Sequence, residues 1–214
     1  MAKSDKADAK KAEAEKKGPR AIKMDRKDGI RKRVLARLGG VETIVEIGVW
    51  RGRFSNVLLS TMKPKKLYLV DPWAATTEDE AEDALTTAKN AAQMEQIYNA
   101  VKNRFSDQIK AGQVEILRDY SANALKTFDD ASVDLIYIDG DHTYEAVKTD
   151  LDLAWQKIKP SGYIMLDDYH RRGWWGDGVL RAVHEFVGVQ SAHLRIHDVL
   201  GAQIALQKLD KDEG

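Results

Sequence analysis

Apolar residues along this chain follow two alternating patterns. Short runs rich in β-branched residues at 43–48, 66–71, 113–118, 133–139 and 162–167 read as strands, and the stretches between them carry apolar residues at helical spacing. Met94, Ile97, Val101, Phe105 and Ile109 form one helical stripe, and Tyr144, Val147, Leu151, Ala154 and Ile158 another; core packing accounts for both. Upstream, Ile30, Val34, Leu35 and Leu38 share one face of a helix that Gly39-Gly40 closes. Such alternation predicts parallel strands joined by crossover helices. Beyond residue 168 come a loop with Trp174-Trp175, an amphipathic helix over 178–186, and runs at 194–200 and 202–207 separated by Gly201. A turn that short makes the last two strands an antiparallel hairpin. The expected architecture is α/β: a mostly parallel seven-stranded sheet with helices on both faces and a C-terminal antiparallel hairpin.

Residues 1–20 are almost all Ala, Lys, Glu and Asp, with no large apolar side chain after Met1, so they cannot offset the entropy of ordering. The expected organisation is a disordered charged tail at 1–20, an N-terminal helix at 21–40 and one domain at 41–214. With 43% hydrophobic residues, 214 residues suffice for one core. No apolar run approaches the roughly 18–20 residues of a membrane span, and no apolar stretch follows the charged start as in a secretory signal, so a cytoplasmic location is expected. The absence of cysteine excludes disulfides, thiolate metal sites and cysteine nucleophiles. The zero net charge conceals an asymmetry: residues 1–33 hold 13 Lys and Arg against 6 Asp and Glu, which leaves the body acidic. The basic arm reads either as a solubilising tail or as a segment that meets phosphate.

Chemistry concentrates where the predicted strands end. Gly48 and Gly52 occupy the turn after the first strand, where glycine admits a ligand to the backbone or simply permits a tight turn. Trp50 stands where G-x-G-x-x-G requires its second glycine, which argues against a pyrophosphate on this turn. Asp71, 23 residues beyond Gly48, is placed to accept both hydroxyls of a ribose, or else Asp71-Pro72 caps the strand. Tyr120 and Ser121 follow the third strand and suit an adenine pocket; Ser121 also suits the N-cap of a helix over 122–128. The densest cluster is Asp139-Gly140-Asp141-His142 after the fourth strand with Asp167-Asp168-Tyr169-His170 after the fifth. Carboxylates gathered this closely repel unless protonated or bound to a cation, and oxygen ligands favour Mg²⁺, Ca²⁺ or Mn²⁺; alternatively Asp141 is an N-cap and the rest are solvated.

Residues 45–55, the 67–73 strand and turn, and 136–144 through Lys159-Pro160-Ser161-Gly162 to Asp167-Asp168-Tyr169 together resemble class I S-adenosylmethionine-dependent methyltransferases, over roughly 41–208. Within these the chain is most similar to the macrocin-type O-methyltransferase branch, and more distantly to the catechol O-methyltransferases. The resemblance implies a Rossmann-like fold in which Glu46, Gly48, Gly52 and Ser55 contact or shape the methionine part of the cofactor. It further implies that Asp71 holds the ribose, that Tyr120 and Ser121 lie beside adenine, and that Asp139 faces the cofactor. Asp139, Asp167 and Asp168 match the acids that bind Mg²⁺ in the metal-dependent members, with His142 and Asp139 as the catalytic pair. Many relatives have two adjacent glycines where this chain has Ser161-Gly162. A small-molecule acceptor and possible homo-oligomer follow. The competing readings are a nucleic-acid methyltransferase gripping phosphates with the basic arm, a non-catalytic cofactor-fold binding protein, and an oxygenase-like relative needing a redox metal.

Overall fold

A computed structural model of the chain describes residues 26–75, 90–171, 173 and 175–210; the expected tail at 1–20, Arg172 and Trp174 lie outside the described residues. The elements run α1 (Arg26–Leu35), β1 (Thr43–Ile47), α2 (Arg53–Met62), β2 (Lys66–Val70), α3 (Ala91–Arg104), α4 (Ser106–Lys110) and β3 (Val114–Leu117). They continue with α5 (Ser121–Lys126), β4 (Val133–Ile138), α6 (Tyr144–Lys157), β5 (Ile158–Leu166), α7 (Gly178–Val189), β6 (Leu194–Leu200) and β7 (Gln203–Lys208). The strands form one seven-stranded sheet in the order β3-β2-β1-β4-β5-β7-β6. β1 to β5 are parallel, and β7 pairs antiparallel with both β5 and β6. The expected architecture therefore stands.

Alternation along each strand divides the core in two. Ile44, Leu67, Leu69, Leu135 and Tyr137 pack with α1, α2 and α3 on one face, while Val45, Ile47, Val70, Ile136 and Ile138 pack with α5, α6 and α7 on the other. All six residues of β4 are buried, as expected of a central parallel strand. No helix among the described residues is long and apolar enough to cross a membrane.

Three local expectations shift. The single stripe from Met94 to Ile109 is broken at Phe105, where φ −105° and ψ 19° end α3; this buried ring lies under Gly52, and the break turns the chain toward β3. Ser121 begins α5, but Tyr120 holds the N-cap position, and Asp119 Oδ1 accepts the Tyr120 N–H at 2.7 Å. Asp141 does not cap α6: Thr143 does, its Oγ1 accepting from Ala146 N–H at 3.4 Å, while Asp141 accepts from Thr143 N–H at 2.8 Å.

The passage from α6 into β5 is abrupt and places Ser161 at φ 63°, the left-handed conformation that disfavours a Cβ. This is one of the positions at which the resembled family often carries glycine. Ser161→Gly is expected to stabilise the fold by about 1 kcal/mol, read as a rise of roughly 2–4 °C in the thermal midpoint; an unchanged or lower midpoint would show that the serine makes a compensating contact.

Candidate active site

Because β1 to β5 are parallel, their carboxyl ends share one edge of the sheet, and each opens into a turn bearing polar residues. The turn after β1 lies tightly against the turn after β4. The Gly48 N–H donates to Val70 and the Asp139 N–H to Ile47, and a Cβ at Gly48 (φ 85°) would stand 2.0 Å from the Asp139 carbonyl oxygen. Gly52 (φ 67°) is the N-cap residue of α2, and a Cβ there would meet the Phe105 ring at 2.7 Å. Both glycines are therefore required by packing, whatever else they admit.

Glu46 and Ser55 lie beside this turn, and both are buried. Glu46 Oε2 and Ser55 Oγ make no well-formed hydrogen bond among the described residues, although Ser55 lies near enough to Glu46 to favour its carboxylate. Such orphaned atoms are costly in a closed core and are accounted for when a ligand satisfies them. Burial pushes the Glu46 carboxyl up to about 8, an effect that Ser55 partly offsets. The residues thus fit the polar methionine end of S-adenosylmethionine: two unspent oxygens beside a turn kept free of side chains.

Asp71 holds the turns around that cradle. Its Oδ2 accepts from Trp50 N–H at 2.8 Å and its Oδ1 from Trp73 N–H at 2.7 Å, and the buried Trp73 indole donates to the Trp50 carbonyl at 2.8 Å. Trp50 and Trp73 adopt φ 51° and 41°. The capping role foreseen for Asp71 is present, and each oxygen keeps lone-pair capacity for a ribose hydroxyl. Trp73 packs inside the core, at 5.2 Å from the Tyr98 ring. Tyr120 is exposed, and Ser121 hydrogen-bonds Asp150 from the start of α5.

At the ends of β4 and β5, Asp139, His142 and Asp168 each bring a ligand-type atom within 4.8 Å of the others. His142 Nε2 lies 3.2 Å from Asp168 Oδ2 and 3.9 Å from Asp139 Oδ1, and its ring meets Trp175 edge-on at 4.8 Å. Burial alone would lower the His142 pKa, but the bond to Asp168 and the nearby carboxylates outweigh it and raise it. Asp168 sits at φ 53° and is held down at about 2, because the His142 bond and the Lys27 charge overcome its burial. His170 Nε2 approaches the other Asp168 oxygen at 3.5 Å.

Two residues from α1, not foreseen at this site, complete it. Arg31 binds Asp139 Oδ2 at 2.6 Å and also Asp167 Oδ2, and Lys27 Nζ lies 2.7 Å from Asp167 Oδ2 and 3.3 Å from Asp168 Oδ1. Asp167 Oδ1 accepts from Gln203 and from the Asp168 N–H. Both Asp167 oxygens are thus engaged, so the trio expected for Mg²⁺ does not converge: Asp139 and Asp168 meet His142, while Asp167 turns to Arg31, Lys27 and Gln203. With α1 docked, Arg31 and Lys27 already bring positive charge to all three acids, which weighs against a divalent ion, while Asp139, His142 and Asp168 keep the spacing of a three-ligand group. Asp139 is pushed up by burial and by Asp167, whereas Arg31 and Lys27 hold Asp167 down against its own burial. A signal for Arg31 and Lys27 does exist in the sequence, since they continue the stripe of Val34, Leu35 and Leu38 at i, i+4, i+7, i+8 and i+11.

The Glu46 shift makes a prediction about stability. A carboxyl raised in the folded state binds a proton that the unfolded chain releases, so its contribution is full below the unfolded pKa of about 4.3 and fades as pH rises toward 8. Glu46→Gln should match wild type near pH 5 and exceed it above pH 8 by roughly 2–4 kcal/mol. Thermal unfolding of both proteins across that range reads this directly; parallel curves would show that Glu46 is ionised when folded.

A family described as a methyltransferase domain matches residues 45–169, which spans the edge from the end of β1 to the turn after β5. An uncharacterized protein, R132, of Acanthamoeba polyphaga mimivirus is 28% identical over 150 residues, covering 68% of this chain; the chain spans 59% of that relative's length. Among solved structures, the O-methyltransferase NovP superposes with a TM-score of 0.60 at 17% identity, covering 84% of this chain and 80% of that one. The O-methyltransferase from Bacillus cereus in complex with SAH gives 0.60 at 14% identity, covering 94% and 89%. These likenesses are to the fold. With a family match over more than half its length, the chain belongs to the methyltransferase-domain family, and its sheet has the fold of the O-methyltransferases on which it superposes.

Proposed function

We propose that this protein is an S-adenosylmethionine-dependent O-methyltransferase acting on a hydroxyl of a small molecule. The observation that carries the reading is the pair of orphaned buried oxygens, on Glu46 and Ser55, next to the glycine turn and one strand away from a histidine paired with an acid. When bound, S-adenosylmethionine supplies a sulfonium methyl that is already activated for displacement. The chain's own work is then to bind, align and remove a proton. Glu46 and Ser55 receive the polar methionine end, Asp71 the ribose, and Tyr120 with Ser121 flank the adenine side. Asp139 bounds the cradle through its backbone, which Gly48 lets approach.

His142 takes the acceptor's proton at Nδ1, the ring nitrogen opposite the Nε2 that faces Asp168. Its partner Asp168 stabilises the imidazolium that results, in the manner of an acid orienting a catalytic histidine. The Trp175 ring beside His142 and His170 gives the acceptor an aromatic wall. Metal assistance, an expectation from the acid cluster, has no step in this reading because Arg31 and Lys27 serve those acids. The same fact weighs against a nucleic-acid acceptor: of the basic arm, Arg31 is buried on the acids and the half-exposed Lys27 is paired with them.

Calorimetric titration with S-adenosylhomocysteine tests the cofactor half, with wild type binding in roughly the micromolar range. Asp71→Asn, which keeps the side chain's size but can accept only one of the two turn N–H groups, should weaken that binding by at least about tenfold. Transfer of labelled methyl to a panel of phenolic and sugar hydroxyls tests the rest. His142→Ala should lower kcat by about 100-fold or more while leaving S-adenosylhomocysteine affinity intact. Folded wild type that fails to bind S-adenosylhomocysteine would overturn the whole reading, whereas binding without transfer to any hydroxyl would leave only a cofactor-fold binding protein.

A further inference from the structure

We propose that Arg31 and Lys27 are a built-in replacement for a divalent cation: α1 docks its two positive charges on Asp139, Asp167 and Asp168, and the site works without a metal ion. The inference goes beyond the methyl-transfer reading and does not depend on which acceptor is used.

Geometry, charge and packing agree. Three carboxylates from two strand ends lie within reach of one helix, and two cations four residues apart on its face contact all three. Asp167, the only one of the three whose side chain is wholly buried, receives both cations on the same oxygen. The guanidinium is not a chance visitor from the surface. The Arg31 side chain is 8% exposed, and its charged carbon lies 4.6 Å from the centre of the Phe54 ring and 5.5 Å from that of Tyr137. A planar, weakly hydrated cation suits such a slot, and a lysine or a hydrated metal does not. Asp28, one turn before Arg31, is gripped by Arg53 of α2 at 2.8 and 2.9 Å, and Arg37 beyond the helix reaches Asp198 of β6 at 2.6 Å. Ile30 packs against the hairpin turn at Gly201, where a Cβ would meet it at 3.0 Å. The helix that delivers the charges is therefore fastened at both ends and along its length. One donor, Arg31 Nε, is buried without a partner among the described residues, and so remains for a ligand of the site.

The test is Mn²⁺ binding to the full chain, followed by the loss of free-ion signal in electron paramagnetic resonance, in wild type, Lys27→Met and Lys27→Met/Arg31→Met. Wild type should take up no stoichiometric Mn²⁺ at sub-millimolar concentration. Removing the cations should open the acid cluster, so that each folded variant binds Mn²⁺ at least roughly tenfold more tightly than wild type, an effect that Asp168→Asn reverses. S-adenosylhomocysteine affinity of wild type should be the same in EDTA as in Mg²⁺. Tight Mn²⁺ binding by wild type that Asp168→Asn abolishes would overturn the proposal even if the double variant fails to fold. Folded variants with no gain in Mn²⁺ affinity would overturn it as well.

Discussion

Negative charge gathered at one edge of a parallel sheet must be neutralised, and that requirement governs the arrangement of this molecule. The topology brings the carboxyl ends of five strands together, and of the acids that follow β4 and β5, Asp167 is buried while Asp139 and Asp168 are partly so. An uncompensated buried carboxylate costs about 3–5 kcal/mol when its partner is removed. The chain meets this constraint with α1, whose apolar half packs on the sheet while its cationic half spans the acids. Position of the N-terminal helix, closure of the site and charge balance are one solution to one electrostatic problem.

Polar groups around the edge divide between two tasks. Asp71, Asp119 and Asp141 spend oxygens on backbone N–H groups and shape the turns in which they lie. Glu46 and Ser55 are spared such duties, and their unspent capacity marks where a ligand belongs. Asp168 stands between these groups. Its left-handed backbone aims one carboxylate at Lys27, His142 and His170 together, an arrangement whose conformational cost is held in place by the surrounding contacts.

Most of the fold was legible because it is written in local periodicity. β4 is apolar but for Asp134 and α6 carries an apolar stripe, so their existence and order follow from near neighbours alone. The strand-end acids were legible for the same reason, as each directly follows a strand. Boundaries were less so: Ser121 and Asp141 both have cap chemistry, and the choice of Tyr120 and Thr143 instead depends on where each strand releases the chain. Phe105 has the spacing of a continuing helix, and the break there answers to packing under Gly52. Arg31 and Lys27 were hardest to read. Cations in an N-terminal segment have the composition of a solvated arm, and their partners are more than a hundred residues away, so nothing local announces the pairing.

That separation has a consequence for how the protein is made. Arg31 pairs with acids 108 and 136 residues downstream, so during synthesis the helix emerges long before anything exists for it to hold. Contacts so distant along the chain form late, after the loop-closure entropy between them has been met by assembly of the sheet. The site is therefore completed by its earliest-made element at the final stage of folding, and a ribosome-bound chain that has not yet released β5 has an open edge and an unseated helix.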